Sequence, residues 1–502
     1  MPTPEVATPH IEFRGVSKRF GPVLANNNVS FTVKAGSLHG IVGENGAGKS
    51  TIVKILYGMY EADAGEIRLG GQSVAIPNPQ VASSHGIGMV HQHFMQVPTL
   101  TGWENILLGR ESTWLFYGRR EAQTEIESVK SSFGFHVDLS LPVEQLCVGH
   151  QQQIEILKLL YRNSDVLILD EPTAVLTPSE VEFLFEKLRR LVAEGKTILL
   201  ITHKLSEILR WTENVTVMRQ GSVVGTYDTA ELTQPSLAEK MVGRLPAILT
   251  HANVTRTPTP ILSVRNLSCV DRLRGLSFDV FGGEILGIAG VEGNGQHELA
   301  EILAGVQTDF EGDVSFGDRR YPSFSTYSLK RAGVGVIPPD RHQEAVVLRF
   351  PVADNFALGH QRDPVFQSHG FIQPGKLDAT VRPQLDRFDI QPRDPRVPIS
   401  SLSGGNQQKV VLARELSRNP SFMLACHPTR GVDIGAIEKI HSELLALRER
   451  GGGVLLMSSE LDEILALSDR ILVLYAGKIV GSVDRKSATE TQLGQWMTGG
   501  QG

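Results

Sequence analysis

The chain repeats itself, and the repeat constrains its fold more than any other feature. Val217-Met-Arg-Gln-Gly221-Ser-Val-Val-Gly225 returns as Val473-Leu-Tyr-Ala-Gly477-Lys-Ile-Val-Gly481. Leu169-Asp-Glu-Pro-Thr173 returns as Ala425-Cys-His-Pro-Thr429, and both pairs are displaced by 256 residues. A glycine-rich run, Gly43 to Ser50, returns in altered form as Gly290-Val-Glu-Gly-Asn-Gly295-Gln-His297, displaced by 247. The second copy therefore carries nine net extra residues between that run and the later motifs (256 against 247). Such insertions belong in a surface subdomain rather than a core strand. We expect domains at 9–246 and 261–498, joined by a polar, proline-containing linker over 247–260, with a frayed C-terminus. The length of 502 residues fits this division, because one hydrophobic core does not grow that large.

The glycine-rich run of the first copy is Gly43-Glu44-Asn45-Gly46-Ala47-Gly48-Lys49-Ser50, followed by Thr51, and it fits G-x-x-x-x-G-K-[ST]. An apolar strand, Leu38 to Val42, precedes it, and Ile52, Val53, Ile55 and Leu56 follow at helical spacing. Glycines let a backbone wrap a polyphosphate with its N–H groups turned inward, and a helix N-terminus adds partial positive charge. Lys49 is placed to reach the β- and γ-phosphates, and Ser50 to offer a hydroxyl to Mg²⁺.

Further apolar runs end in polar chemistry. Ile87 to Val90 leads to His91-Gln92-His93, Val166 to Leu169 leads to Asp170-Glu171, and Lys196 to Thr202 leads to His203. Apolar strands alternating with helices predict a parallel sheet with its site at the strands' C-terminal edge. Asp170 can hold Mg²⁺, directly or through water, and Glu171 can act as general base on an attacking water. Gln92 can ligate the metal or the water, and His203 can hydrogen-bond a γ-phosphate. The alternative for the acidic pair is a solvated helix cap. Ile11 to Phe13 and Val29 to Val33 read as strands of an antiparallel layer, with Phe20 in the loop between them. Phe20 offers either a stacking platform for adenine or a core filler. Residues 104–150 read as mostly helical.

Composition narrows the class. A net charge of −6 gives no global field to recruit nucleic acid. Three cysteines, Cys147, Cys269 and Cys426, make neither a disulfide framework nor a metal spacing, which fits a reducing compartment. Met1 to His10 lack the basic and apolar regions of a signal peptide, and no run approaches the ~20 apolar residues of a membrane span. A membrane role must then come through a partner.

Together with Leu402-Ser-Gly-Gly-Asn406-Gln-Gln-Lys409, these motifs resemble the ATPase subunits of ABC transporters over nearly the whole chain. The resemblance implies an α/β fold of two tandem P-loop ATPase domains, each with a mixed sheet core, an antiparallel β layer and a helical subdomain. It implies ATP and Mg²⁺ as cofactors. It also implies that Ser403, Gly404 and Gly405 of the signature cap the γ-phosphate held by the opposite copy, with Asp433 bridging toward the same site. Met89-Val-His-Gln-His-Phe94, Pro428-Thr-Arg-Gly-Val-Asp433-Ile-Gly-Ala-Ile-Glu438 and Glu460-Leu-Asp-Glu-Ile464 look closer to nucleoside importers than to simple-sugar importers.

The two copies depart from the pattern in opposite places. Lys49, Ser50, Gln92, Asp170, Glu171 and His203 correspond to Gln296, His297, Pro339, Cys426, His427 and Ser459. The first copy keeps those six but carries Leu146-Cys147-Val148-Gly149-His150 where the second has its signature, and Thr177 stands where the second has Asp433. If the copies pair head to tail as the family does, every loss falls on one composite site. The expectation is one catalytic site and one degenerate site. The resemblance also implies two integral membrane permease subunits, docked near Met95 to Leu108, and an extracytoplasmic solute-binding protein, with no nucleic acid. The chain would sit peripherally on the cytoplasmic face of the membrane. Trp103 lies in the docking segment, but an indole there is equally a core residue. A ribosome-acting tandem ATPase would carry a long charged linker and two competent sites, and a DNA-repair ATPase would carry paired zinc cysteines.

Overall fold

The computed structural model describes residues 9–21, 23–91, 95–109, 119–146, 148–173, 176, 178–202, 204–243, 251–252, 254–270, 272–291, 293–317, 319–320, 325–432, 434–497 and 499. The chain divides into two compact units, Met1–Pro246 and Ala247–Gly502. The architecture is mixed α/β in both.

In the first unit, β1 (Pro9–Phe20), β2 (Val23–Lys34), β4 (Ala64–Leu69) and β5 (Gln72–Val74) form an antiparallel sheet in the order β2-β1-β4-β5. The larger sheet comprises β3 (Leu38–Val42), β6 (Ile87–Val90), β7 (Val166–Asp170), β8 (Thr197–Ile201), β9 (Asn214–Arg219) and β10 (Ser222–Asp228). Its order is β10-β9-β3-β8-β7-β6, parallel except at the β10 edge. Every residue of β3, β7 and β8 is buried, as expected of parallel strands covered on both faces. Ile11, Phe13 and Val29 of the antiparallel layer share a core with Ile41, Ile52, Val53, Ile168 and Ile201, so the two sheets clamp the helix Lys49–Leu56.

The second unit repeats the plan. It has an antiparallel sheet of β11 (Pro260–Cys269), β12 (Leu273–Phe281), β14 (Glu311–Phe316) and β15 (Arg319–Arg320). Its larger sheet contains β13 (Ile285–Ala289), β16 (Val334–Ile337), β19 (Phe422–Cys426), β20 (Gly453–Ser458), β21 (Arg470–Tyr475) and β22 (Lys478–Asp484), in the order β16-β19-β20-β13-β21-β22. A hairpin of β17 (Gln367–Ser368) and β18 (Phe371–Ile372) lies in the segment where the second copy is longer.

Two expectations need correction. Phe20 is not in a loop: it ends β1, paired with Val23, because the hairpin continues through several register shifts that spoil any simple alternation. The junction is no free tether along its described part. Arg448 Nη1 donates to Ala252 O at 3.0 Å, and Thr257 N donates to Gly282 O at 2.9 Å, so the segment is strapped to the second unit.

In each helical subdomain a buried asparagine holds the turn before a short helix. Asn105 Nδ2 donates to the carbonyls of Val97, Leu100 and Thr101, and Asn355 does the same to Val347, Phe350 and Pro351. Trp103, beside Asn105 in the helix Gly102–Leu107, is half-buried. Beneath this turn in the first copy, buried Glu155 accepts from the Gln96 side chain and the Met95 N–H, while its Oε1 has no partner among the described residues. The second copy has Val346 and Val411, both buried, at the places of Gln96 and Glu155.

Burial raises the Glu155 carboxyl above its ordinary range. A folded-state pKa that is raised means a penalty at neutral pH, relieved as pH falls through that pKa. Glu155→Val should therefore stabilise the first unit at pH 7 by about 1 kcal/mol, and the gain should shrink on acidification to pH 5. Chemical denaturation at the two pH values checks this; an equal gain at both would remove the carboxyl's charge as the cause.

Candidate functional site

The chemistry of the first copy gathers at one edge because its strands run in register. Leu38 pairs with Ile198, Ile41 with Ile201, and Asp170 with Ile201, so β3, β8 and β7 finish at the same level. The glycine-rich loop leaves β3 there, Asp170 ends β7 and Thr202 follows β8.

The loop is held too tightly for side chains. A Cβ on Gly43 would fall 2.2 Å from Met218 O, and one on Gly48, at φ 95°, would fall 2.4 Å from Ala25 O. Gly46 is also left-handed (φ 81°), Ala47 is buried, and Ala47 N donates to Glu44 O at 3.0 Å, so residues 43–48 curl into a closed turn. Lys49 is buried, and its Nζ donates to Gly43 O at 2.7 Å and Glu44 O at 2.9 Å. The ammonium thus lies across the mouth of the loop. Ser50 follows it in the first turn of the helix Lys49–Leu56, and its hydroxyl hydrogen-bonds Asp170. Thr51 is half-buried on the same turn.

Asp170 is buried, and its carboxyl is raised, first by that burial and next by the charge of Glu171. Lys54, the Ser50 hydroxyl and Lys49 pull the other way. Glu171 is strained: it sits at φ 52°, and its N–H donates to Ile201 O at 2.8 Å. A non-glycine residue in the left-handed region costs about 1–3 kcal/mol, which turns Glu171 sharply away from the strand line. Beyond it, Thr173 and Thr202 both donate to buried Glu207 Oε2, at 2.9 and 3.1 Å, tying the loops after β7 and β8 together.

Phe20 is 41% exposed and packs edge-on against Tyr60, with ring centroids 5.1 Å apart, under Lys18. It is a surface platform rather than a core filler. Gln92, His203 and Asp433, with Cys147 and Thr177, lie outside the described residues.

In the second copy the same backbone carries different side chains. Gly295 is left-handed at φ 106°, and His427 repeats the strain of Glu171 at φ 44°, with its N–H on Met457 O at 2.8 Å. Yet Gln296 is neutral with its Oε1 unpartnered among the described residues, His297 lies 3.5 Å from Glu301, and burial raises the Cys426 thiol above its ordinary range. Hard oxygen donors suited to Mg²⁺ are present in the pair Ser50 and Asp170 and missing from the pair His297 and Cys426. The signature is built in the second copy: Ser403 caps the helix Gly404–Leu416, accepting from Asn406 Nδ2 at 3.0 Å, and Gly405 is buried. A Cβ on Gly404 would meet Arg341 Nη2 at 2.8 Å and Gly431 O at 3.1 Å.

Several contributors were missed from sequence. Gln152 donates to Pro172 O and Gln408 to Pro428 O, so each helix after a signature position buttresses the turn after β7 or β19. These glutamines recur at the repeat offset, which was a usable signal. Glu207 recurs at the same offset as Glu463, which accepts from Thr429 Oγ1 at 2.8 Å, so the repeat marked it as well.

The family model described as ABC transporter matches residues 26–174 and 273–430. The chain is 41% identical over 496 residues to the nucleoside import ATP-binding protein NupA of Lactococcus lactis subsp. cremoris, covering 98% of both chains. It is 40% identical to the guanosine import ATP-binding protein NupO of Bacillus subtilis, over 97% of both. It is also 41% identical to the glucose import ATP-binding protein TsgD13 of Haloferax volcanii, covering 98% of this chain and 96% of that one.

Gly48→Ala should lower the affinity of the full chain for inorganic tripolyphosphate at least tenfold and destabilise the first unit by about 2 kcal/mol. Calorimetric titration and thermal unfolding check this; retained affinity would mean that the loop does not need its left-handed turn.

Proposed function

Because the chain belongs to the ABC transporter family of ATPases, we propose that it energises nucleoside import, with one catalytic composite site and one degenerate site. ATP hydrolysis coupled to transport is the activity of this family. The observation that carries the substrate reading is the pair of nucleoside and guanosine import relatives at 41% and 40% identity over almost the full chain. Import of a simple sugar is the second reading, favoured by the glucose import relative at 41%.

In the catalytic site, amides of residues 43–50 and the Lys49 ammonium bind the β- and γ-phosphates. Ser50 and Asp170, with Gln92, would hold Mg²⁺, which supplies charge neutralisation when bound. Glu171 accepts the proton of the water that attacks the γ-phosphorus, while the bond from that phosphorus to the β–γ bridging oxygen breaks. His203 donates to the γ-phosphate, and Phe20 offers its face to the adenine. The signature residues Ser403, Gly404 and Gly405, with Asp433, complete the site from the other copy. The degenerate site lacks the lysine charge, the metal carboxylate and the base, and its signature position carries Cys147 and Val148. That the losses sort onto one composite site supports pairing of the two copies within one chain. No described helix is long and apolar enough to cross a membrane. Coupling then needs two permease subunits docked near Met95 to Leu108, at the cytoplasmic face, and a solute-binding protein outside.

Glu171→Gln should reduce phosphate release at least 100-fold with ATP binding retained, whereas His427→Ala should change it less than about twofold. Comparable losses from both would sink the one-site reading. Uptake of labelled guanosine, adenosine and ribose, in cells with and without this chain, tests the substrate. Loss of nucleoside uptake alone is expected, and loss of ribose uptake alone would replace nucleoside with sugar.

A further inference from the structure

Asn26 is an anomaly in the first copy. It is a wholly buried polar residue in β2, directly beneath the glycine-rich loop. Its Nδ2 donates to Gly48 O at 3.1 Å, while its Oδ1 is buried with no partner among the described residues. The Gly48 carbonyl also accepts from Ile52 N at 3.0 Å, the first bond of the helix Lys49–Leu56. One carbonyl is thus held from two sides. A peptide unit is planar, so fixing this carbonyl also fixes the line along which the next N–H, that of Lys49, is presented.

The repeat supplies the control. Asn27 N donates to Gly221 O at 2.8 Å, and Arg274 N donates to Gly477 O at 2.9 Å, which makes Leu273 the counterpart of Asn26. There Leu299 N donates to Gly295 O at 3.0 Å, and Leu273 meets Gly295 through carbon: a Cβ on that glycine would lie 2.7 Å from Leu273 Cδ2. Leucine therefore fits beneath such a loop and leaves no polar atom stranded. The copy with Lys49 carries the amide, and the copy with Gln296 carries the hydrocarbon.

A buried, half-satisfied amide is a poor way to stabilise a fold, since an unpaired acceptor away from water costs free energy that an apolar group does not. We propose that Asn26 is a positioning residue for ATP: it locks the Gly48–Lys49 peptide so that this amide meets the phosphates in one orientation. The proposal rests on the ATPase reading of the first copy. It adds a residue that touches the loop and not the nucleotide, and it separates stability from binding.

The test is Asn26→Leu, which installs the second copy's own solution in the purified full chain. Three quantities are measured: the unfolding temperature without nucleotide, the Kd for ATP with Mg²⁺, and KM and kcat for ATP hydrolysis. The expected result is an unchanged or raised unfolding temperature, Kd and KM raised at least fivefold, and kcat within twofold of wild type. Wild-type Kd and KM would overturn the proposal. A lowered unfolding temperature with proportionate loss of binding would also overturn it, in favour of a packing role. Asn26→Ala removes the donor without adding bulk and must raise KM by a similar factor. If it binds ATP as wild type does, or if neither variant folds, the proposal fails. A wild-type chain that binds no ATP would remove the ATPase reading itself, an outcome distinct from wild-type-like binding by Asn26→Leu.

Discussion

The central strands of each larger sheet are buried on both faces, and the rest of the structure follows from that constraint. Charged groups cannot sit along β3, β7 or β8, where a lone charge would lose its hydration without a partner. Chemistry can only emerge where the strands stop. Parallel register makes them stop together, so the loop after β3, the carboxylate ending β7 and the turn after β8 share one edge. The antiparallel sheet then covers the helix Lys49–Leu56 from the other side and brings Asn26 against the loop from below.

The second copy shows what the fold needs apart from the chemistry. It keeps the left-handed glycine before the helix, the strained residue after β19, the asparagine of the helical subdomain and the glutamine that buttresses the turn after β19. It gives up the lysine, serine, aspartate and glutamate side chains. Backbone bonds of the frame must be made in any folded copy, because buried donors and acceptors without partners are costly. Lys49 and Asp170 are buried as well, yet Gln296 and Cys426 fill the same buried places, so the frame does not require their charges. The persistence of φ 44° at His427 is the plainest sign: the turn survives where the glutamate has given way to histidine.

Much of this was legible. The runs 38–42 and 87–90 are strands with those same bounds, because short, mostly apolar runs flanked by glycine and polar residues have few alternatives. Phe20 was misplaced because bulges in β1 break the alternation that marks a strand. The junction read as a tether because proline and threonine look the same whether solvated or strapped to a neighbour by Arg448. Asn26 was invisible because its partner lies 22 residues away, and Glu207 showed only through its repeat at Glu463.

The sequence by itself determined the two-copy plan, the strands that form the core, the glycine-rich loop and which copy keeps its acids and its lysine. These are local properties: residue type, spacing and hydrophobic period. Only the tertiary structure decided how the loop is held: Gly43 against Met218 O, Gly48 against Ala25 O and Asn26, and Asp170 buried on Ser50 beside a strained Glu171. Those contacts join residues far apart in the chain. Their energies come from burial and hydrogen-bond direction, neither of which exists until the two sheets have closed on the helix between them.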